Sequence, residues 1–227
     1  MPDIVLIAHG SPDPRHAADV EWLADALRNR VRAGRCVGAC YLDHHEPSPD
    51  TLSLELTRNA VAVPLLVTPA FHARVDVPQA VERLRSNGAD VRVTPPLGPD
   101  ERLLDACSEL LAAAGVASDP ETAVVLFAAG SSDSAAVATV GETIERFPRA
   151  GWGPWQVAAL DGGERIEEVV GRLRPAVERV VAVSFMVAEG ILRDRMVDRC
   201  AAVGVEMVPG ALARTNAMVD LVLARTF

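Results

Sequence analysis

The sequence predicts an α/β fold built of two pseudo-symmetric halves, each a parallel sheet covered by helices on both faces. Two observations predict it. Short apolar runs alternate with segments whose apolar residues recur three or four positions apart, the pattern of strands linked by crossover helices. The second half also repeats the first: Val5-Leu6-Ile7-Ala8-His9-Gly10-Ser11 aligns with Val125-Leu126-Phe127-Ala128-Ala129-Gly130-Ser131. Asp13 and Asp133 each follow that serine by two positions, and Val61-Ala62-Val63 aligns with Val181-Ala182-Val183. The offset is 120 residues in both blocks (10 to 130, 61 to 181), and Leu42-Asp43 matches Leu160-Asp161 with a small slip. Three ordered blocks at nearly one offset point to a duplicated unit rather than to chance likeness of buried strands.

In order along the first half, strands are expected at residues 4–8, 37–42, 61–67 and 91–93, a four-stranded set. Between them, Leu23, Leu27 and Val31 mark one helical face, and Leu103, Leu104, Cys107 and Leu111 mark another. Asn87-Gly88 and Pro95-Pro96 punctuate the chain as turns. The halves are expected to meet near residues 115–120, giving units 1–117 and 118–227.

The chain has 227 residues, about half of them apolar, enough for a substantial core. Arginine supplies all side-chain positive charge apart from histidine, since the chain has no lysine, and the net charge is −9. That balance argues against nucleic acid or an anionic membrane as partner, and an acidic small ligand would need a local basic patch. Cys36, Cys40, Cys107 and Cys200 form no C-x-x-C pair, so buried, reduced thiols in a cytoplasmic protein are expected. The first residues lack the basic region and the apolar length of a signal peptide, and no run approaches a membrane span. No Gly-x-Gly-x-x-Gly or Walker sequence occurs, so nucleotide use is not expected.

Ligands of parallel α/β sheets bind outside the carboxyl ends of the strands. His9 closes the first strand, Asp43 closes the second and His72 follows the third, which places two imidazoles and a carboxylate on one rim. That set suits a divalent transition metal. Each histidine alone is more simply a structural residue, and Asp43 alone could be a turn or helix cap; their joint placement favours the site. The corresponding positions of the second half are Ala129, Asp161 and Leu192, so metal chemistry belongs to the first half and ligand holding to the second. His44 and His45 read as solvated loop residues that could help deliver metal, and His16 reads as a surface residue. Strand-to-helix turns at His9-Gly10-Ser11 and Gly130-Ser131-Ser132 offer N–H and hydroxyl donors to an anion. Arg15, Arg74, Arg193 and Arg195 lie close by in sequence, and arginine forks suit carboxylates. Ser11, Arg15, Arg74, Ser131, Ser132 and Arg193 are therefore the expected contacts to an acidic ligand. Helix caps and solvated arginines are the plainer reading of any one of them.

Taken together, these segments resemble a known family. Ile7-Ala8-His9-Gly10-Ser11-Pro12-Asp13-Pro14-Arg15 looks like the opening motif of the CbiX/SirB-type sirohydrochlorin chelatases. Phe71-His72-Ala73-Arg74-Val75-Asp76-Val77-Pro78 resembles that family's second histidine motif, and 41–48 its acidic motif, with Asp43 where glutamate often stands. The resemblance implies two flavodoxin-like halves facing a central cleft. It implies insertion of Co2+ or Fe2+ into sirohydrochlorin, towards cobalamin or sirohaem. His9 and His72 would be metal ligands and proton acceptors; the metal would be a substrate and no cofactor would be permanently bound. A tetrapyrrole or metal carrier without catalysis is the alternative on the same scaffold. Phosphoryl transfer through His9 lacks the second histidine and arginine pattern it would need.

Overall fold

A computed structural model describes residues 2–56, 59–68, 75–131 and 134–226; the side chains of 2, 3 and 134–137 are outside that description. The first half contains β1 (Pro2–Ala8), α1 (Pro14–Arg28), β2 (Cys36–Tyr41), α2 (Pro49–Ser53), β3 (Ala60–Pro64), α3 (Asp76–Arg85), β4 (Val91–Val93) and α4 (Glu101–Ala113). The second contains β5 (Thr122–Gly130), α5 (Ser134–Arg146), β6 (Trp155–Asp161), α6 (Ile166–Leu173), β7 (Arg179–Ser184), α7 (Ile191–Ala202), β8 (Glu206–Met207), a 3-10 turn (Leu212–Arg214) and α8 (Asn216–Thr226).

Each half forms an all-parallel four-stranded sheet, in the orders β2-β1-β3-β4 and β6-β5-β7-β8. The duplication extends to register. Leu6 pairs with Val63 in the first sheet and Leu126 with Val183 in the second. The Leu65 N–H donates to Ile7 O at 2.8 Å, as the Phe185 N–H does to Phe127 O at 2.8 Å. The expected strand over 61–67 stops at Pro64. Strand β4 is only three residues long, and beyond Pro64 the chain keeps single backbone bonds, Leu65 N–H to Ile7 O and Leu97 N–H to Leu66 O, each at 2.8 Å.

Strands β1 and β5 are apolar at every position of their cores because both faces are covered. In β1, Ile4, Leu6 and Ala8 point into one cluster, while Val5 and Ile7 join α2 and α3 in another. In β5, Val124, Leu126 and Ala128 point into the cluster of Ile4 and Leu6, while Ala123, Val125 and Phe127 pack on α6 and α7. The middle layer is thus common to both halves, and each half keeps a separate outer layer.

Helix α1 shows how the local code feeds this packing. Asp13 caps it, accepting from the Arg15 N–H at 3.0 Å, and Pro14 begins it, a favourable start because the first-turn N–H groups have no helical partner. Val20, Leu23, Ala24 and Leu27 then bury one stripe in the middle layer.

The last helices of the halves are exchanged. Helix α4, from the first half, contacts β7, and α8, from the second, contacts β3. The two helices also pack on each other, and Glu109 of α4 accepts from the Asn216 and Ala217 N–H groups at the start of α8, both at 2.8 Å. Arg225 of α8 donates to Leu97 O at 2.9 Å.

Candidate metal and tetrapyrrole cleft

The carboxyl ends of β1 and β5 open on a cavity of about 500 Å³ between the two sheets. Residues 65–68 wall it on one side and 185–192 on the other. Most of the wall is apolar, with Leu65, Val140, Phe185 and Met186 among its members, and polar groups converge at the strand ends. That mixture is usual for a site holding a small organic ligand.

Both strand ends are pinned alike. Gly10 has φ +92°, and a Cβ on it would lie 1.8 Å from Asp43 O; Gly130 has φ +84°, and a Cβ on it would lie 1.7 Å from Asp161 O. Only glycine fits a left-handed turn against a neighbouring carbonyl at that distance. In the first half this turn presents His9, half-buried on the cavity wall with Nδ1 3.2 Å from Gly10 O.

Asp43 joins His9 through backbone rather than side chain. Its N–H donates to His9 O at 2.9 Å. Its carboxylate is 66% exposed, accepts from the His44 N–H at 2.8 Å and lies 3.4 Å from His44 Nε2. The expected third metal ligand is thus placed off the cavity wall. His72 and Arg74, and Ser132 in the other half, lie outside the described residues. Among the described residues no group of three or more His, Cys, Asp or Glu side chains is arranged to hold a metal.

Two histidines differ from their sequence reading. His16 is half-buried on the cavity wall, and its Nδ1 is buried without a hydrogen-bond partner. Burial pushes its pKa down, and neighbouring His45 and His9 push it further. It belongs to the stripe of Val20, Leu23 and Leu27, at i, i+4, i+7 and i+11, so the sequence carried the signal that it faces inward. His45 is also half-buried, its ring edge-on to Tyr41 at 5.3 Å and its Nε2 without a partner.

The anion contacts separate. Ser11 and Ser131 line the cavity, and Ser11 Oγ accepts from the Asp13 N–H at 3.2 Å. Arg15 stands exposed at the rim between Asp13 and Asp194. Arg193 is buried instead, donating to Val208 O at 3.0 Å and Gly210 O at 3.2 Å, which ties α7 to the loop after β8. Its place on the inner face with Met196 and Cys200, at i, i+3 and i+7, explains that burial.

The far wall carries two carboxylates, Asp161 and Glu189, of which Glu189 had no sequence signal because it lies in a loop after β7. Buried Asp19 of α1 holds that loop, accepting from the Glu189 N–H at 2.8 Å and from Arg214 at 2.5 Å. The cleft therefore sets the imidazoles of His9 and His16 against the carboxylates of Asp161 and Glu189, with apolar surface making up most of the rest.

Residues 3–114 match the CbiX family model. The chain is 25% identical over 142 residues to a sirohydrochlorin cobaltochelatase of Priestia megaterium, a match covering 59% of this chain and 46% of that relative's length. The fold is that of SirB from Bacillus subtilis with Fe3+, with TM-score 0.77 and 20% identity over 99% of this chain and 94% of that one. It is likewise that of the sirohydrochlorin chelatase SirB from Bacillus subtilis subspecies spizizenii in complex with cobalt (TM-score 0.75, 16% identity, 100% and 94% covered). The first half of the chain, residues 3–114, thus carries the match to the CbiX family.

Proposed function

We propose that this protein is a cytoplasmic sirohydrochlorin chelatase that inserts Co2+ or Fe2+ in cobalamin or sirohaem biosynthesis. One observation carries the reading: His9 stands at a strand end on the wall of a cavity whose other surfaces are largely apolar. The relatives' names supply the substrate class. Among the described residues no helix is long and apolar enough to cross a membrane.

Insertion takes two N–H protons from the macrocycle and exchanges the metal's ligands for ring nitrogens. A neutral imidazole can hold the incoming metal or accept a proton, though not both at one nitrogen. His9 and His72 divide these tasks in the proposed mechanism. The apolar walls hold the flat ring, which limits its orientations before the metal arrives. Carboxylates at the ring edge meet the donors of Ser11, Ser131 and Arg15. Asp43 acts through its backbone bond to His9 O, steadying the turn that presents the imidazole.

The test is metallation of sirohydrochlorin with Co2+ and with Fe2+, side by side, against a protein-free control. Acceleration with either metal supports the reading. Tight tetrapyrrole binding without acceleration would identify a carrier instead.

A further inference from the structure

We propose that Asp194 is an internal stand-in for a ligand carboxylate on Arg15, so that their ion pair is an exchangeable latch across the rim of the cleft. The proposal rests on the tetrapyrrole reading above and adds to it the way the ring's acidic edge gains its contact.

Arg15 lies in the first turn of α1 and Asp194 in the first turn of α7, so the pair joins one half to the other. The guanidinium is held in a fork: Nη1 donates to Asp194 Oδ1 at 3.0 Å and Nη2 to Oδ2 at 2.5 Å. Two parallel bonds to the two oxygens are the arrangement any free carboxylate adopts on arginine. The segments bearing the pair touch at the cavity margin, where a Cβ on Gly190 would lie 3.7 Å from both Ser11 Oγ and Asp13 Cβ. Ser11 and Gly190 themselves line the cavity.

Arg15 has two carboxylate partners, and they are not equivalent. Asp13 caps α1 through the Arg15 N–H and its side chain is only 11% exposed. The bonds from Arg15 hold its carboxyl down at about 2, so it is an anion at neutral pH. Asp194 has no capping duty, is 49% exposed, and has Arg15 as its hydrogen-bonded partner. Asp13 keeps Arg15 oriented and Asp194 is the carboxylate that can leave. Exchange costs little, since one exposed charge-assisted fork replaces another.

A tetrapyrrole with carboxylates around its edge supplies the replacement. Its arm on Arg15 frees Asp194, the contact between the halves loosens at this point, and the rim parts around the ring. A ring without carboxylates cannot make the exchange, so the latch selects for an acidic edge.

The test is binding of metal-free sirohydrochlorin to four proteins: wild type, Asp194→Asn, Arg15→Gln and the double variant. Removing the internal competitor should tighten binding about two- to fivefold in Asp194→Asn, the scale of an exposed ion pair. Arg15→Gln should weaken it, and the double variant should match Arg15→Gln, because without Arg15 there is nothing for Asp194 to occupy. Unchanged or weaker binding by Asp194→Asn overturns the latch, as does a gain that persists in the Arg15→Gln background. Wild type that binds sirohydrochlorin while Asp194→Asn gains nothing defeats the latch alone; wild type that does not bind the ring defeats both readings.

Discussion

The two halves share a backbone and differ in the side chains they bring to the cleft. Both sheets have the same strand order, both first strands run into a left-handed glycine beneath an aspartate carbonyl, and both third strands keep the same register. At the residue before that glycine, however, the first half has His9 and the second Ala129. The rim is a property of the scaffold, while the imidazole proposed to handle metal is a property of one residue placed on it. The second half instead brings Asp161 and Glu189 to the same cavity, so one cleft has a nitrogen wall and an oxygen wall.

The largest expected effect strikes the first half alone. His9→Ala should lower metallation at least about 100-fold, the scale of losing a positioned acid-base group, with the far-ultraviolet circular dichroism unchanged. Ala129→His should add no turnover. Equal activity in His9→Ala and wild type would break the asymmetry at once.

The next treats the halves alike. Gly10→Ala and Gly130→Ala each drive a Cβ to within 2 Å of a backbone oxygen at positive φ, so each should lose at least about 2 kcal/mol in urea unfolding. A large loss for one and none for the other would show that the pseudo-symmetry of the strand ends is superficial.

A third contrasts two arginines. Arg193→Ala strands the carbonyls of Val208 and Gly210 and the carboxylate of Glu189, and should cost about 1–3 kcal/mol of stability, with a smaller effect on tetrapyrrole affinity in the folded protein than Arg15→Gln. Arg15→Gln should do the reverse, weakening tetrapyrrole binding while leaving the urea midpoint where it was. A loss of ring affinity on truncating Arg193 as large as that of Arg15→Gln would return it to the cleft.

The smallest concerns acid. The pKa of His16 is lowered in the folded protein from the ordinary 6.5, so below that pH the unfolded chain takes up the proton first. His16 therefore adds to acid lability: stability is full above about 6.5 and falls as pH drops towards the folded value. His16→Gln should reduce the difference between urea midpoints at pH 7.5 and pH 5.5. An undiminished difference would assign the acid loss to other groups.

Much of this comparison was legible in the sequence, because strand-to-helix alternation and a 120-residue offset are local patterns that survive without knowledge of packing. His9 was legible for the same reason: it ends an apolar run. The exchange of α4 and α8 was not, since an amphipathic helix states which face is buried but not against which sheet. His16 and Arg193 were readable from helical spacing and were misplaced by giving polarity more weight than periodicity. Asp43 was placed correctly along the chain, yet its side chain turns to His44, a choice of rotamer and turn that strand position does not fix. Glu189 depends on a loop held by Asp19, 170 residues earlier, and no local signal announces such a contact.

The division of labour is tested most directly by titrating Co2+ into wild type, His9→Ala and Asp161→Ala without tetrapyrrole, following the visible absorption of the bound ion. The account predicts one cobalt site in wild type, its loss in His9→Ala and its retention in Asp161→Ala. Retention in His9→Ala with loss in Asp161→Ala would put the metal on the opposite wall and contradict it.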